Sequence, residues 1–96
     1  MSLEIEIFTS ENCAFCSRAK EVLEKVVAEF PDVVIKEVDV ESDRGKEEAE
    51  NLGVLTEPVI IISKDIRFTG VPREEHLREA IQKEIELFKD EKGEEE

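Results

Sequence analysis

The sequence predicts an α/β fold with element order βαβαββα: a four-stranded mixed sheet with helices on both faces. Three observations predict it. Short β-branched runs alternate with runs whose apolar residues recur every three or four positions. The only two cysteines, Cys13 and Cys16, sit between the first strand-like run and the first helix-like run. The most apolar run, Val59-Ile60-Ile61-Ile62, is continuous, as suits a strand covered on both faces.

The elements follow in order. Leu3 to Thr9 reads as a strand, with Ile5, Ile7 and Phe8 as its apolar residues. Thr9-Ser10-Glu11-Asn12 is polar and feeds a helix over Ser17 to Phe30. Ala19, Leu23, Val26, Val27 and Phe30 make its stripe, and Pro31-Asp32 stops it. Val33 to Val40 is β-branched and reads as a second strand. Ser42 and Asp43 are N-cap types ahead of a helix from Arg44 to Leu52, and Gly53 stands where a helix end favours a left-handed residue. Lys64-Asp65 joins the apolar run to Ile66-Arg67-Phe68 as a hairpin. A last helix spans Arg73 to Phe88, with Leu77, Ala80, Ile81, Ile85 and Phe88 on one stripe and Glu74 and Glu75 in its first turn. Residues 1–88 form one domain, and 89–96 read as a frayed acidic tail. Alternating strands and helices imply a mainly parallel sheet, with the closing hairpin adding an antiparallel edge.

Composition narrows the function. The 96 residues carry a formal charge of −13. Such a chain repels nucleic acid phosphates and anionic membrane surfaces. No apolar run approaches the ~20 residues that span a bilayer, and no basic-then-apolar leader is visible, so the cytoplasm is expected. Charged residues reach 41%, while Asn and Gln are limited to Asn12, Asn51 and Gln82, which suggests a thermophile.

Cys13-Ala14-Phe15-Cys16 carries the chemistry. Two intervening residues let both sulfurs meet within one helical turn. A helix start offers free N–H groups and partial positive charge, which favour a thiolate, the nucleophile of disulfide exchange. Cys13, at the helix start, is expected to attack. Cys16, read as one turn inside the helix, is expected to be more buried and to resolve the mixed disulfide. Two cysteines are half of a zinc or iron–sulfur ligand set, so a metal site would need a second copy or an outside thiol; no metal is expected. Strand alternation points Glu6 to the face opposite Ile7. Lys20 reads as a surface residue two turns from Cys13, and His76 as exposed.

The chain resembles the thioredoxin/glutaredoxin superfamily from about Leu3 to Phe88. Three stretches carry the resemblance. Cys13-Ala-Phe-Cys-Ser-Arg-Ala-Lys20 is similar to the glutaredoxin run CPYCxRAK. Gly53-Val54-Leu55-Thr56-Glu57-Pro58-Val59 looks like the family's loop ending in a cis-proline. Phe68-Thr69-Gly70-Val71-Pro72-Arg73-Glu74-Glu75 resembles the end of small thioredoxins. The resemblance implies the thioredoxin fold, sheet order 2-1-3-4 and a cis Pro58 beside the sulfurs. It also implies a substrate groove at Thr56, Glu57, Pro58, Phe15 and Gly70. Read without it, Pro58 is an ordinary trans proline, and Phe15 either an exposed platform or packing against the Pro58 loop.

The departures set the function. Glutaredoxins carry a basic residue before the CxxC, where this chain has Ser10-Glu11-Asn12, and a Gly-Gly where it has Gly70-Val71. Glu57 would repel the carboxylates of glutathione. Thioredoxins place Trp before the first cysteine and Gly-Pro between the two, where this chain has Asn12 and Ala14-Phe15. The pattern looks like a small archaeal-type, glutaredoxin-like thioredoxin. The expected function is reduction of protein disulfides through a redox-active Cys13–Cys16 disulfide, with no bound cofactor. The expected form is a monomer recharged by an NAD(P)H-dependent flavoprotein reductase. The alternatives are a glutathione-dependent glutaredoxin and a non-catalytic or iron–sulfur-binding module of the same fold.

Overall fold

The computed structural model describes residues 3–54, 56–63 and 66–94, with side chains through residue 87. The elements are β1 (Leu3–Thr9), α1 (Cys16–Val27), β2 (Val33–Asp39), α2 (Asp43–Leu52), β3 (Val59–Ser63), β4 (Ile66–Thr69) and α3 (Glu74–Glu94). They form one four-stranded sheet of order β2-β1-β3-β4.

The sheet is mixed rather than mainly parallel. Only β1 and β2 run parallel; β3 is antiparallel to both β1 and β4. The register supplies the reason. Phe8 lies opposite Val38 near the end of β2 and opposite Val59 at the start of β3. The connection through α2 therefore leaves and re-enters the sheet at the same end, and β3 must run back down.

Strand alternation divides the core. Ile5 and Ile7 of β1 with Ile60 and Ile62 of β3 pack against Ala19, Leu23 and Val26 of α1 and Leu77 and Ile81 of α3. On the opposite face, Phe8, Val38, Val59 and Ile61 pack against Ala49 of α2. This is why β3 is apolar without a break: each face has a helix over it.

Helix limits depart from the periodicity at three ends. α1 stops at Val27, not Phe30; Glu29 and Phe30 donate their N–H groups to Val26 and Val27 in tight turns. Phe30 precedes Pro31, and a residue in that position is pushed out of the helical region. α1 also begins at Cys16, so Cys16 is its first helical residue rather than one turn inside. α3 continues to Glu94, through most of the segment read as a tail. Loss of apolar residues after Phe88 is not a stop signal, and Lys89–Lys92 contains no helix breaker. The Phe88 side chain and the Lys64-Asp65 turn lie outside the described residues.

α2 matches its signals. Ser42 Oγ accepts from Gly45 N–H at 3.0 Å and donates to the Asp39 carbonyl at 2.7 Å. Gly53 caps the other end at φ 69°. Gly45 itself is needed for space, because a Cβ there would collide with the Asp39 carbonyl oxygen. Arg78 ties α3 to the turn that follows α1. It donates to both Glu29 carboxylate oxygens, at 2.9 and 2.7 Å, and to Glu74 at 2.9 Å. Lys25 adds a 3.3 Å pair to Glu74.

Gly45→Ala, normally favourable in a helix, should here destabilise by ~1–3 kcal/mol in chemical denaturation, because β2 and α2 must separate to admit the methyl. Arg78 holds Glu29 and Glu74 below the ordinary carboxylate range, chiefly through its hydrogen bonds. A carboxylate depressed in the folded state stabilises fully above its unfolded value and loses that contribution as pH falls through its folded value. Arg78→Met should therefore lower the melting temperature by a few degrees at pH 7. The difference from the parent should shrink as the pH falls below the ordinary carboxylate range.

Candidate active site

The site lies at the end of β1 where the α2 connection also begins and finishes. β1 ends at Thr9, whose carbonyl accepts from Val40 N–H at 2.9 Å. The chain then turns through Ser10 to Phe15, held by Cys13 N–H donating to the Ser10 carbonyl at 3.3 Å. Phe15 is the N-cap of α1, and its carbonyl accepts from Ala19 N–H at 3.0 Å. Cys13 therefore precedes the helix and Cys16 opens it.

The two cysteines form a disulfide, with their Cα atoms 5.4 Å apart. Their surroundings differ. Cys16 is 6% exposed and belongs to the buried set, whereas Cys13 is half-buried. The α1 terminus has no side-chain cap and no acidic residue in its first turn. α2 and α3 both carry acids there: Asp43 in one, Glu74 and Glu75 in the other. The first N–H groups of α1 and its partial positive charge are thus left for the sulfurs.

An open pocket of about 190 Å³ flanks the disulfide, lined by Thr9, Ser10, Glu11, Cys13, Cys16, Ser17, Lys20 and Glu37. Lys20 Nζ lies 2.8 Å from Glu37 Oε1, and Thr9 Oγ1 donates to Glu37 Oε2 at 3.1 Å. The Lys20 hydrogen bond pulls the Glu37 carboxyl below its ordinary value, and the same bond pushes the Lys20 ammonium above its own. Both groups are therefore charged at neutral pH. Lys20, read from sequence as too distant, lines the wall. Counted from Cys16 it is four residues on, one helical turn, and so shares that face. Glu37 pairs in register with Ile7, and strand alternation turns it to the α1 face. Counting from Cys16 would have found Lys20; Glu37 needed the β1–β2 register.

The other sequence candidates separate. The Glu57–Pro58 peptide bond is cis, and Pro58 is fully buried. Its carbonyl accepts from Gly70 N–H at 2.8 Å, and Gly70 adopts φ 83°, where a side chain would be strained. Because Val59 pairs with Phe8, this proline sits at the same sheet end as the cysteine loop. Thr56 is exposed and Glu57 half-buried. Phe15 is 60% exposed. Thr56, Glu57, Pro58, Phe15 and Gly70 do not line the pocket that holds the disulfide. Glu6 faces α2, where burial chiefly raises its carboxyl, with Glu48 nearby and Lys36 at 3.8 Å. His76 is exposed on α3. Among the described residues no group of three or more His, Cys, Asp or Glu is placed to hold a metal ion. Nor is any helix there long and apolar enough to cross a membrane.

A mixed four-stranded sheet flanked by three helices, with a CxxC disulfide at an acid-free helix terminus, defines a dithiol–disulfide oxidoreductase. The comparisons with known proteins agree. A thioredoxin domain family model matches residues 3–82. A probable thioredoxin of Methanothermobacter marburgensis is 40% identical over 87 residues, covering 90% of this chain and 100% of its own length. The thioredoxin of Methanocaldococcus jannaschii is 39% identical, covering 86% of this chain and 96% of its own. The solved structure of thioredoxin 1 from Thermosipho africanus superposes with a TM-score of 0.74 at 21% identity, over 91% of this chain and 99% of that one. The chain belongs to the thioredoxin family, and it acts as a thiol–disulfide oxidoreductase on protein disulfides.

Proposed function

We propose that the chain is a protein-disulfide reductase in which Cys13 attacks and Cys16 resolves. The observation that carries this reading is the unequal exposure of the two sulfurs at the α1 terminus: Cys16 is in the core and Cys13 is half-buried. In the reduced protein the Cys13 thiolate attacks one sulfur of a substrate disulfide. That S–S bond breaks, a Cys13–substrate disulfide forms, and the first substrate thiolate leaves and takes up a proton. Cys16 then loses its proton and attacks Cys13 Sγ. The second substrate thiolate departs, and the Cys13–Cys16 disulfide remains. Two electrons have passed to the substrate.

Substrate would dock along Thr56, Glu57 and Pro58, with Phe15 as an apolar platform and Gly70 supporting the proline from behind. A cis proline supports such a groove because it has no N–H and turns the chain, presenting the preceding backbone to an extended peptide. Recharging requires an external two-electron donor. An NAD(P)H-dependent flavoprotein reductase fits, since the chain has no glycine-rich dinucleotide fingerprint of its own. The protein would work as a monomer in the cytoplasm of a heat-adapted organism, with no bound cofactor. In a reducing compartment a CxxC pair cycles rather than staples. Glutathione fits the site poorly: Glu11 lines the pocket and Glu57 precedes the cis proline, both bearing the charge of glutathione carboxylates.

Insulin reduction in two arms tests the reading. One arm supplies dithiothreitol or a thioredoxin reductase, the other glutathione with glutathione reductase. Turnover in the first arm, at least tenfold above the second and lost in Cys13→Ser, is expected. Equal turnover with glutathione would make the protein a glutaredoxin, and activity surviving Cys13→Ser would overturn the assignment of Cys13.

A further inference from the structure

The wall of the disulfide pocket contains a charged pair that the exchange cycle does not use. We infer that the Lys20–Glu37 ion pair is a positioning device: Lys20 stabilises the thiolate of the reduced Cys13/Cys16 pair, and Glu37, steadied by Thr9, fixes and moderates that charge.

The placement carries the argument. Lys20 is the only cation among the residues lining the pocket with both cysteines. It lies one helical turn beyond Cys16, and its ammonium is held 2.8 Å from Glu37 Oε1 rather than left to swing in solvent. Glu37 is in turn held by the Thr9 hydroxyl at 3.1 Å. Two separate elements, β1 and β2, thus anchor a charge that belongs to a third. The other charged residues lining this pocket and the hollow that adjoins it at Thr9 are acidic, Glu11 in the loop and Asp39 on β2, and Glu24 follows on the next turn of α1; Lys36 and Arg44 border Glu37 only in a separate hollow that contains neither cysteine. In a chain of formal charge −13, a thiolate here faces net repulsion, and Lys20 is the local charge of opposite sign. The pair is nevertheless a balance. An ammonium lowers the cost of a nearby thiolate, and a carboxylate raises it. Removing either partner should move the thiolate in opposite directions, which a merely structural salt bridge would not do. Because the sulfurs interact, the quantity affected belongs to the dithiol pair.

The inference rests on the cysteine pair cycling between disulfide and dithiol, as proposed above, but not on which cysteine attacks. The reduced full-length protein is titrated by thiolate absorbance near 240 nm and by the pH dependence of iodoacetamide alkylation. Neither readout needs a substrate. Lys20→Met should raise the lowest thiol pKa by roughly 0.5–1 unit, and Glu37→Gln should lower it by a similar amount. The double variant should return close to the parent, and Lys20→Arg should resemble the parent. Both side chains are over 40% exposed, at 42% and 44%, so the fold should tolerate the changes. Unshifted thiol titration in both single variants would overturn the inference, as would shifts of the same sign. Loss of disulfide reduction with normal thiol titration would instead count against the reading under Proposed function.

Discussion

The two-sided pairing of β1 is the constraint on which the rest depends. β1 hydrogen-bonds to β2 along its whole length and to β3 through its second half. Phe8 is the pivot, opposite Val38 on one side and Val59 on the other, with its ring fully buried against α2. That register fixes which backbone segments meet at one end of the sheet. The cysteine loop leaves β1 there, α2 departs from β2 there, and the cis Pro58 turns the chain into β3 there. A slip of one residue would turn Ile5 and Ile7 away from the α1/α3 layer and Glu6 into it. The site is therefore held by the same apolar alternation that builds the core.

Local electrostatics then distinguishes this sheet end from the others. The protein is strongly acidic, yet α1 alone begins without an acid in its first turn. Ser42 caps α2, and Glu74 and Glu75 complement the start of α3, whereas the sulfurs occupy the start of α1. The Lys20–Glu37 pair adds a held positive charge to the pocket wall. Cys13 lies on the loop before α1 and is half-buried, whereas Cys16 opens the helix and is buried. A thiolate at this end of the sheet is thus favoured by backbone dipoles and by the lysine inferred to stabilise it.

Much of this was legible in the sequence because it is carried by local signals. Apolar periodicity, β-branched and continuous apolar runs, and capping residues together marked all seven elements; Ser42 and Gly53 marked both ends of α2, and Cys13-Ala14-Phe15-Cys16 marked the redox centre. The cis state of Pro58 followed from resemblance, not from any local rule; its own neighbours permit either isomer. What stayed hidden was non-local. β3 was expected to continue a mainly parallel sheet, because alternation of strands and helices does not report at which end a connection returns. Glu37 looked like any charged residue on an edge strand until the β1–β2 register turned it toward α1. Lys20 is two turns from Cys13 but only one turn from Cys16, where α1 starts. The end of α3 is not marked in the sequence, because a loss of apolar residues does not stop helical hydrogen bonding.

The central claim is a division of labour between two sulfurs three positions apart. Covalent trapping tests it most directly. Reduced Cys16→Ser, mixed with a disulfide-containing protein substrate, should accumulate a one-to-one mixed disulfide through Cys13, visible by intact-mass spectrometry and released by dithiothreitol. Reduced Cys13→Ser should trap little or none. Trapping through Cys16 in the Cys13→Ser protein, with none in the Cys16→Ser protein, would contradict the account. It would mean that burial and position at the α1 terminus do not decide which sulfur attacks.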